Sequence, residues 1–359
     1  MKKQSKYYDG TRLLSMKDLN GETPEIYICT SNRSAGKTTF FAKKAIDNFL
    51  NKGQKFMLVY RFDDELDDVS SKFFKDIKGI YFNDFYMRDE RKAKGKYREL
   101  FLGEIDIEHP DEMDAGQSCG YAIALNNADR YKKYSHLFSD TCCMIFDEFQ
   151  SETNRYCAHE IQKLLSIHTS VARGNGSQVR YVPLYMISNP VSLINPYYVT
   201  LGIANRLKKD TKFLRGAGWV LEQGFNESAS AAQHESAFNR AFSNNSYVAY
   251  ASQSIYLNDN MSFIEKPIGK SRYLATLKYD GQLYSLKEFQ EQGIIYCDTK
   301  ADANFYRKIA LTTDDHDINY VTLKANEFFI STIRWYFDHG CVRFKNLKCK
   351  ECLLTAISY

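Results

Sequence analysis

The stretch IYICTSNRSAGKTTFFAKKAIDNFL, residues 26–50, decides the fold. It begins with a short apolar run, crosses a polar loop and continues with helical spacing from Thr39 to Leu50. Gly53 follows, as glycine commonly does after a last helical turn, and a second apolar run, Lys55–Tyr60, comes next. Strand, helix and strand at this spacing predict a βαβ unit, and therefore an α/β fold with a mainly parallel sheet.

The loop between the first strand and its helix has the spacing of a phosphate-binding loop. It fits the Walker A pattern G-x-x-x-x-G-K-[ST] except at the first position, where Ser31 replaces glycine. Backbone amides and a helix N-terminus form an anion cradle at such a loop, Lys37 is placed to reach phosphates, and Thr38 offers a hydroxyl to Mg²⁺. We therefore predict ATP and Mg²⁺ as ligands, although a basic helix N-terminus is the alternative. The predicted nucleotide-binding residues are Ser31, Asn32, Arg33, Ser34, Ala35, Gly36, Lys37, Thr38 and Thr39.

A later apolar run, residues 142–146, ends in two acids, Asp147 and Glu148. Acids often follow strands, but this pair downstream of a phosphate-binding loop is typical of a Walker B motif. In that motif Asp147 would belong to the Mg²⁺ shell, and Glu148 would orient and deprotonate the attacking water. A glutamate at this position favours hydrolysis over transfer to a small substrate.

Polar residues around a fourth predicted strand, Val179–Ile187, are further candidates. Ser188 and Asn189 end the strand and are placed to sense the γ-phosphate, although an Asn-Pro turn explains them nearly as well. Arg173 precedes the strand in a loop that contains glycines. It is either a surface residue or an arginine presented to a neighbouring subunit.

Composition limits the class of protein. The chain has 359 residues, 44% hydrophobic and 26% charged, which predicts about two globular domains. No apolar run approaches the length of a membrane-spanning helix, and none follows the basic N-terminus, so we expect neither a membrane segment nor a signal peptide. Nine cysteines fit a reducing cytosol. The net charge of +4 is weak evidence for nucleic acid, but basic residues cluster at 88–98 and 343–350.

Changes in composition along the chain predict its domain organisation. Residues 1–207 alternate strands and helices, with an irregular insertion that contains hairpins at 80–125. Residues 208–245 contain GAG, SASAAQ and SNN, and we predict a linker there with a helix or two. Residues 246–359 are rich in strands and predict an α+β domain, in which Asp280–Gly281 forms a hairpin turn.

The motifs, taken in order, resemble those of the DNA-packaging ATPases of small tailed phages of the phi29 type, compact relatives of large terminase motors. The resemblance covers nearly the whole chain, and its most specific parts are SNPVSLINPYY at 188–198 and the LTTDD stretch. The other matching stretches are SNRSAGKT, Tyr60–Arg61, MIFDEF, VARGNG, FIEK, IIYCDT and VRF.

The resemblance implies an ASCE-type P-loop ATPase domain followed by an RNase H-like domain. It also implies a homomeric ring of five subunits at the portal, or connector, of an empty procapsid, driving double-stranded DNA inward with ATP. An RNA adaptor is a further implied partner, and the basic residues at 88–98 and 343–350 would contact DNA, the portal or that RNA. The implied location is the host cytoplasm, transiently the portal vertex, and not the mature virion.

Residue by residue, the resemblance keeps the roles of Lys37, Thr38, Asp147 and Glu148 and makes Arg173 an arginine finger that acts on the next subunit. Lys132 or Lys133 falls near a second basic residue that crosses the subunit interface. Ser31 departs from the family's glycine.

The second domain is expected to lack nuclease activity. Two-metal hydrolysis needs several converging carboxylates, and the predicted leading strand, Arg272–Tyr279, contains no acid. Asp298, Asp314 and Asp315 leave a partial site open. Two alternatives to a packaging motor remain: a cellular P-loop helicase, and a nucleotide-dependent DNA-binding scaffold that does not hydrolyse ATP.

Overall fold

The computed structural model describes residues 7–106, 115–131, 137–153, 155–173, 178–192, 195–203, 206–207, 211–241 and 263–357. The chain divides into two compact units. The first comprises residues 1–192 and 207–258, and the second residues 193–206 and 259–359. Within the described ranges, no helix is both long enough and apolar enough to cross a bilayer.

The first unit alternates strands and helices, as predicted. Its elements are α1 (Thr11–Ser15), β1 (Ile26–Thr30), α2 (Lys37–Lys52), β2 (Lys55–Tyr60), α3 (Val69–Tyr81), β3 (Phe85–Lys92), β4 (Tyr97–Glu104), β5 (Gln117–Ala124), α4 (Ala128–Tyr131), β6 (Thr141–Asp147), α5 (Glu160–Val171), β7 (Leu184–Ser188), β8 (Phe213–Gly216), β9 (Trp219–Gln223), α7 (Glu227–Glu235) and α8 (Ala237–Ala241). The short helix α6 (Pro196–Thr200) lies in the second unit.

These strands form one sheet in the order β3-β4-β5-β2-β6-β7-β1-β9-β8. Pairing is parallel from β5 through β9 and antiparallel in the flanking pairs β3-β4, β4-β5 and β8-β9. The prediction of a mainly parallel α/β sheet is therefore confirmed. Strand β7 separates β1 from β6, which is the strand order of an ASCE-type P-loop domain.

The core of this unit forms because α2 and α3 bury apolar residues at helical spacing. Phe41 and Ile46 of α2 and Phe74 and Ile77 of α3 belong to one buried cluster with side chains from β1, β2 and β6. The apolar face of α2 fixes the direction of the helix, so its N-terminus is held at the carboxyl end of β1.

The prediction of a linker at 208–245 is wrong for residues 213–223. Residues 213–223 form the hairpin β8-β9, and β9 pairs in parallel with β1 over its whole length. The small residues between the two strands make the hairpin turn, where Gly218 has φ +76°. Trp219 is buried, so a stretch that looks flexible by composition is anchored in the sheet.

The insertion predicted at 80–125 contains a hairpin, as expected, but its described residues, 80–106 and 115–125, are regular rather than irregular. Strands β3 and β4 form an antiparallel hairpin, and β4 pairs with β5, which joins the parallel part of the sheet. The predicted fourth strand, Val179–Ile187, begins later than expected. Because Pro183 has no N–H to donate, the ladder of β7 starts at Leu184.

The second unit contains a six-stranded sheet in the order β14-β13-β10-β11-β12-β15. Its elements after α6 are β10 (Arg272–Tyr279), β11 (Gln282–Phe289), β12 (Ile294–Asp298), β13 (Lys308–Ala310), β14 (Val321–Thr322), α9 (Glu327–Asp338), β15 (Val342–Phe344) and α10 (Leu347–Ile357). An antiparallel meander of three strands, joined by parallel strands beside the first, is the topology expected of an RNase H-like domain. The predicted start of this domain at residue 246 lies outside the described residues.

The turn between β10 and β11 is formed as predicted. Asp280 and Gly281 have φ +50° and +68°, which is the pattern of a type I′ hairpin. Asp315 accepts hydrogen bonds from both backbone amides, at 2.8 Å each.

Candidate nucleotide-binding site

The phosphate-binding loop joins β1 to α2 and has the backbone of a turn. Ser34 and Gly36 have φ +60° and +91°, and Gly36 is the N-cap of α2. Ser31 is not among the residues with positive φ, so its backbone does not require the glycine of the motif. The Ser31 side chain is buried, and its Oγ donates to the carbonyl of Asn32 at 3.3 Å. The departure from the Walker A pattern therefore costs no backbone strain.

Lys37 is buried and bonded to the loop itself. Its Nζ donates to the carbonyl and the Oγ of Ser31, both at 3.0 Å, and to the carbonyl of Asn32 at 3.1 Å. It also lies 3.3 Å from Oδ1 of Asn189, at the end of β7. Burial lowers the pKa of Lys37, and a cation held among neutral acceptors gains strongly from an arriving anion.

Thr38 and the two acids meet at the carboxyl ends of β1 and β6. Thr38 Oγ1 donates to Asp147 Oδ2 at 2.8 Å. Burial raises the pKa of Asp147, and burial followed by the charges of Asp147 and Glu152 raises that of Glu148. A hydroxyl beside a carboxylate is an oxygen donor set that suits Mg²⁺, and a nearby carboxyl with a raised pKa suits a general base.

Arg61, for which the motifs predicted no role, contacts the loop that follows β6 and carries Glu148, here called the acidic loop. Its guanidinium donates to both oxygens of Glu160, at 2.9 and 3.2 Å, and both side chains are buried. It also donates to the carbonyls of Glu148 and Phe149, at 3.3 and 2.7 Å. Glu148 has φ +54°, a rare conformation outside glycine, and Arg61 restrains it. The sequence feature that could have identified Arg61 is its position directly after the buried strand β2.

The segment after β9 also reaches the loop, which the sequence reasoning missed. Asn32 Nδ2 donates to the backbone carbonyl of Asn226 at 3.0 Å, and the backbone N–H of Asn226 donates to Asn32 Oδ1 at 2.9 Å. Asn226 caps α7, and Gln233 on that helix donates to Ser34 Oγ at 3.2 Å. Helix α7 and its N-cap thus contact the phosphate-binding loop at two residues, Asn32 and Ser34.

These groups surround a cavity of about 870 Å³ that lies within the first unit. Its lining residues are Tyr7, Arg33, Ser34, Ala35, Gly36, Lys37, Thr38, Thr39, Asp76, Asp147, Glu148, Ser188, Asn189, Gln233, Phe238 and Asn239. Of the predicted nucleotide-binding residues, Ser31 and Asn32 do not line this cavity but bond to Lys37 from the loop. Arg33 forms an ion pair with Glu152.

The predicted basic residues of the subunit interface are placed differently. Arg173 follows α5 and is exposed, beside a second cavity that Glu25, His168 and Val179 also line. Glu25 directly precedes β1, so Arg173 lies at the amino ends of the parallel strands, opposite the phosphate-binding loop. Lys132 and Lys133 lie outside the described residues.

Ion pairs neutralise most of the predicted basic stretch at 88–98. Arg91 and Arg98 both contact Asp67, and Arg98 also contacts Asp89. The remaining pairs in the hairpin join Arg88 and Lys92 to Glu90 and Lys92 to Glu99. The second basic cluster is also paired in part, through Arg343 with Glu265 and Lys345 with Asp298.

The acids of the second unit are engaged in local contacts. Lys287 and Lys345 each lie 2.9 Å from the Asp298 carboxylate. Burial acts to raise the pKa of Asp298, but the two lysines outweigh it and lower that pKa to about 2. Asp315 stabilises the β10-β11 turn. Within the described ranges no three His, Cys, Asp or Glu side chains are arranged to hold a metal ion.

A P-loop after β1, paired acids after β6 and a separating strand β7 define a P-loop nucleotide-binding protein of the ASCE class. The family described as "Podovirus DNA encapsidation protein (Gp16)" matches residues 1–356. The chain belongs to this family, and the predicted kinship with phi29-type packaging proteins is confirmed.

Relatives and solved structures agree with this assignment. The DNA packaging protein of Bacillus phage phi29 is 25% identical over 319 residues, covering 88% of this chain and 87% of that protein. The bacteriophage Phi-29 viral genome packaging motor assembly contains a chain with a similar fold, at TM-score 0.65 and 23% identity, covering 99% of this chain and 98% of that one. A chain of the Phi-28 gp11 DNA packaging motor also has a similar fold, with a TM-score of 0.59 and 17% sequence identity, covering 98% of each chain.

Proposed function

We propose that this protein is the ATPase subunit of a viral motor that hydrolyses ATP to drive double-stranded DNA into an empty procapsid. The family supports the role in encapsidation. One observation carries the ATPase assignment: Thr38 and Asp147 are hydrogen-bonded at 2.8 Å in the cavity that also contains Lys37 and Glu148.

Phosphate binding, Mg²⁺ binding and proton transfer are assigned to different residues of the cavity. The loop amides, the N-terminus of α2 and Lys37 bind the phosphates, since all three present positive charge to one end of the cavity. Thr38 and Asp147 would hold Mg²⁺, which neutralises phosphate charge when bound. Glu148 accepts a proton from the attacking water, and Arg61 keeps it oriented. Asn189 contacts Lys37 and is placed to respond to an occupied phosphate site.

Arg173 acts on the nucleotide of a neighbouring subunit in this proposal. It lies at the end of the sheet opposite its own phosphate-binding loop, and five residues of β1 at about 3.3 Å each separate the two by roughly 16 Å. An arginine at that distance cannot reach the phosphate-binding loop of its own subunit but, being exposed, is available to a neighbour. A homomeric ring, which we propose has five subunits, would supply that neighbour, with Lys132 or Lys133 as a second basic residue across the interface.

The second unit is proposed to dock on DNA, the portal or an RNA adaptor rather than to cut DNA. The Asp298 carboxylate forms ion pairs with two lysines, and β10 contains no acidic residue. Both features are unsuitable for a pair of catalytic metal ions. The motor would work in the host cytoplasm at the portal vertex and be absent from the mature virion.

The test compares paired variants of the purified full-length protein. Glu148→Gln should bind ATP but hydrolyse it about 10²–10⁴-fold more slowly, because an amide accepts no proton. Lys37→Ala should lose ATP affinity. The matched controls are Glu104→Gln and Lys52→Ala, both exposed residues outside the cavity.

DNA packaging is measured in parallel as nuclease-protected DNA in procapsids. Near-normal turnover by Glu148→Gln would contradict the catalytic assignment. ATP hydrolysis without protected DNA in the complete packaging reaction would contradict the motor assignment.

A further inference from the structure

Four side chains that line the cavity have no role in the proposed phosphate binding or hydrolysis. They are Tyr7, Gln233, Phe238 and Asn239, and they line the same cavity as Lys37 and the two acids. Three of these residues follow β9, in α7 and α8. They are therefore candidates to contact the part of the nucleotide beyond its phosphates.

Two aromatic side chains contribute flat apolar surface there. A Cβ atom on Gly36 would lie 3.1 Å from Cδ1 of Tyr7, so this ring packs over the start of α2. Phe238 keeps 74% of its surface exposed although it lines the cavity. Stacking of a nucleobase on an aromatic ring strengthens binding roughly 5- to 150-fold. The exposed surface of Phe238 is therefore suitable for stacking a base.

The orientation of the Asn239 amide is fixed by its neighbours. Its Nδ2 donates to the backbone carbonyl and to Oε1 of Gln233, at 2.8 and 2.9 Å. A carbonyl accepts only from a donor, so Nδ2 cannot exchange places with Oδ1. Gln233 is fixed in turn, since only its Oε1 can accept from Asn239 Nδ2, which leaves Nε2 to donate to Ser34 Oγ. Asn239 therefore presents Oδ1, an acceptor, on a residue that lines the cavity.

We propose that Phe238 stacks on the base of the bound nucleotide and that Asn239 Oδ1 accepts a hydrogen bond from the 6-amino group of adenine. Guanine has a carbonyl at that position, and two facing acceptors repel, so the site selects ATP over GTP. This inference rests on the proposed ATPase function. It makes α7 and α8 the part of the chain that reads the base, attached to the loop that binds the phosphates.

The experiment measures binding rather than turnover. Isothermal titration calorimetry of the full-length protein with Mg²⁺ compares ATP, GTP and inorganic triphosphate. Wild type should prefer ATP to GTP by about tenfold or more, the equivalent of one hydrogen bond gained and one repulsion avoided. Phe238→Ala should weaken ATP and GTP alike by at least about fivefold and leave triphosphate unchanged. Asn239→Ala should bring ATP and GTP to nearly equal affinity.

The control is Phe225→Ala, an equally sized exposed side chain in the same segment that does not line the cavity. It should change none of the three affinities. Equal affinity of wild type for ATP and GTP would overturn the proposal, as would loss of triphosphate binding in Phe238→Ala or Asn239→Ala, because these residues would then support the loop. Unchanged triphosphate binding in Lys37→Ala would instead overturn the phosphate site, and with it the proposed function.

Discussion

Replacing Arg61 by methionine tests how the acidic loop is held. Arg61 and Glu160 form a buried ion pair, with 7% and 2% of their side chains exposed. Removal of the guanidinium breaks the buried ion pair of Glu160 and takes a donor from the carbonyls of Glu148 and Phe149. Breaking one partner of such a pair costs about 3–5 kcal/mol. We expect Arg61→Met to lower the free energy of unfolding of the first unit by that amount.

The assay is urea denaturation followed by tryptophan fluorescence. The chain contains two tryptophans, Trp219 in β9 and Trp335 in α9, so a Trp335→Phe background reports the first unit alone. The matched control is Arg91→Met, which breaks an ion pair exposed at both ends and should change stability little.

The double variant Arg61→Met with Glu160→Leu should recover much of the loss, because no charge is then left buried. The reasoning is refuted if Arg61→Met is as mild as Arg91→Met, or if the double variant is no more stable than the single one.

Three further outcomes are expected. Mixing inactive Arg173→Ala and Glu148→Gln proteins should restore ATPase activity, because some interfaces then combine an intact Glu148 site with an intact arginine; assembled rings without recovery at any ratio would exclude a trans role. The acidic limb of the ATPase pH profile should lie above pH 4.5, the ordinary pKa of glutamate, because burial raises the pKa of Glu148; a limb at or below 4.5 argues against it as the base. Asp298, whose folded-state pKa of about 2 is below its ordinary 3.8, stabilises the fold above pH 4 and loses that contribution as pH falls towards 2. Asp298→Asn should therefore flatten the acid dependence of unfolding reported by Trp335 fluorescence, and an unchanged slope would contradict the pairing with the lysines.

The residues of the site that could be predicted from the sequence belong to contiguous motifs. Asp147 and Glu148 lie at the end of β6, and Lys37 and Thr38 begin α2 after the loop that follows β1. Parallel strands bring their carboxyl ends, and the loops that follow them, to one edge of a sheet. The position of Asn189 beside Lys37 followed from the same rule.

Features that depend on pairing between distant residues could not be predicted. Arg61 finds its partner 99 positions along the chain, and no local pattern marks that pair. The basic stretch at 88–98 looked like a surface for DNA, but four of its six basic side chains form ion pairs with nearby acids. The hairpin β8-β9 was missed because its short strands are separated and followed by small residues, a composition shared by linkers.

The pairing of β9 with β1 determines where this protein can be divided. A fragment ending at residue 207 contains every Walker residue, yet it leaves β1 as an edge strand with unsatisfied backbone groups. Exposed edges of this kind recruit strands from other molecules and cause aggregation. The shortest autonomous ATPase fragment therefore extends through β9 and the helices after it, to Ala241, and proteolytic trimming short of β9 should yield insoluble material rather than a working domain.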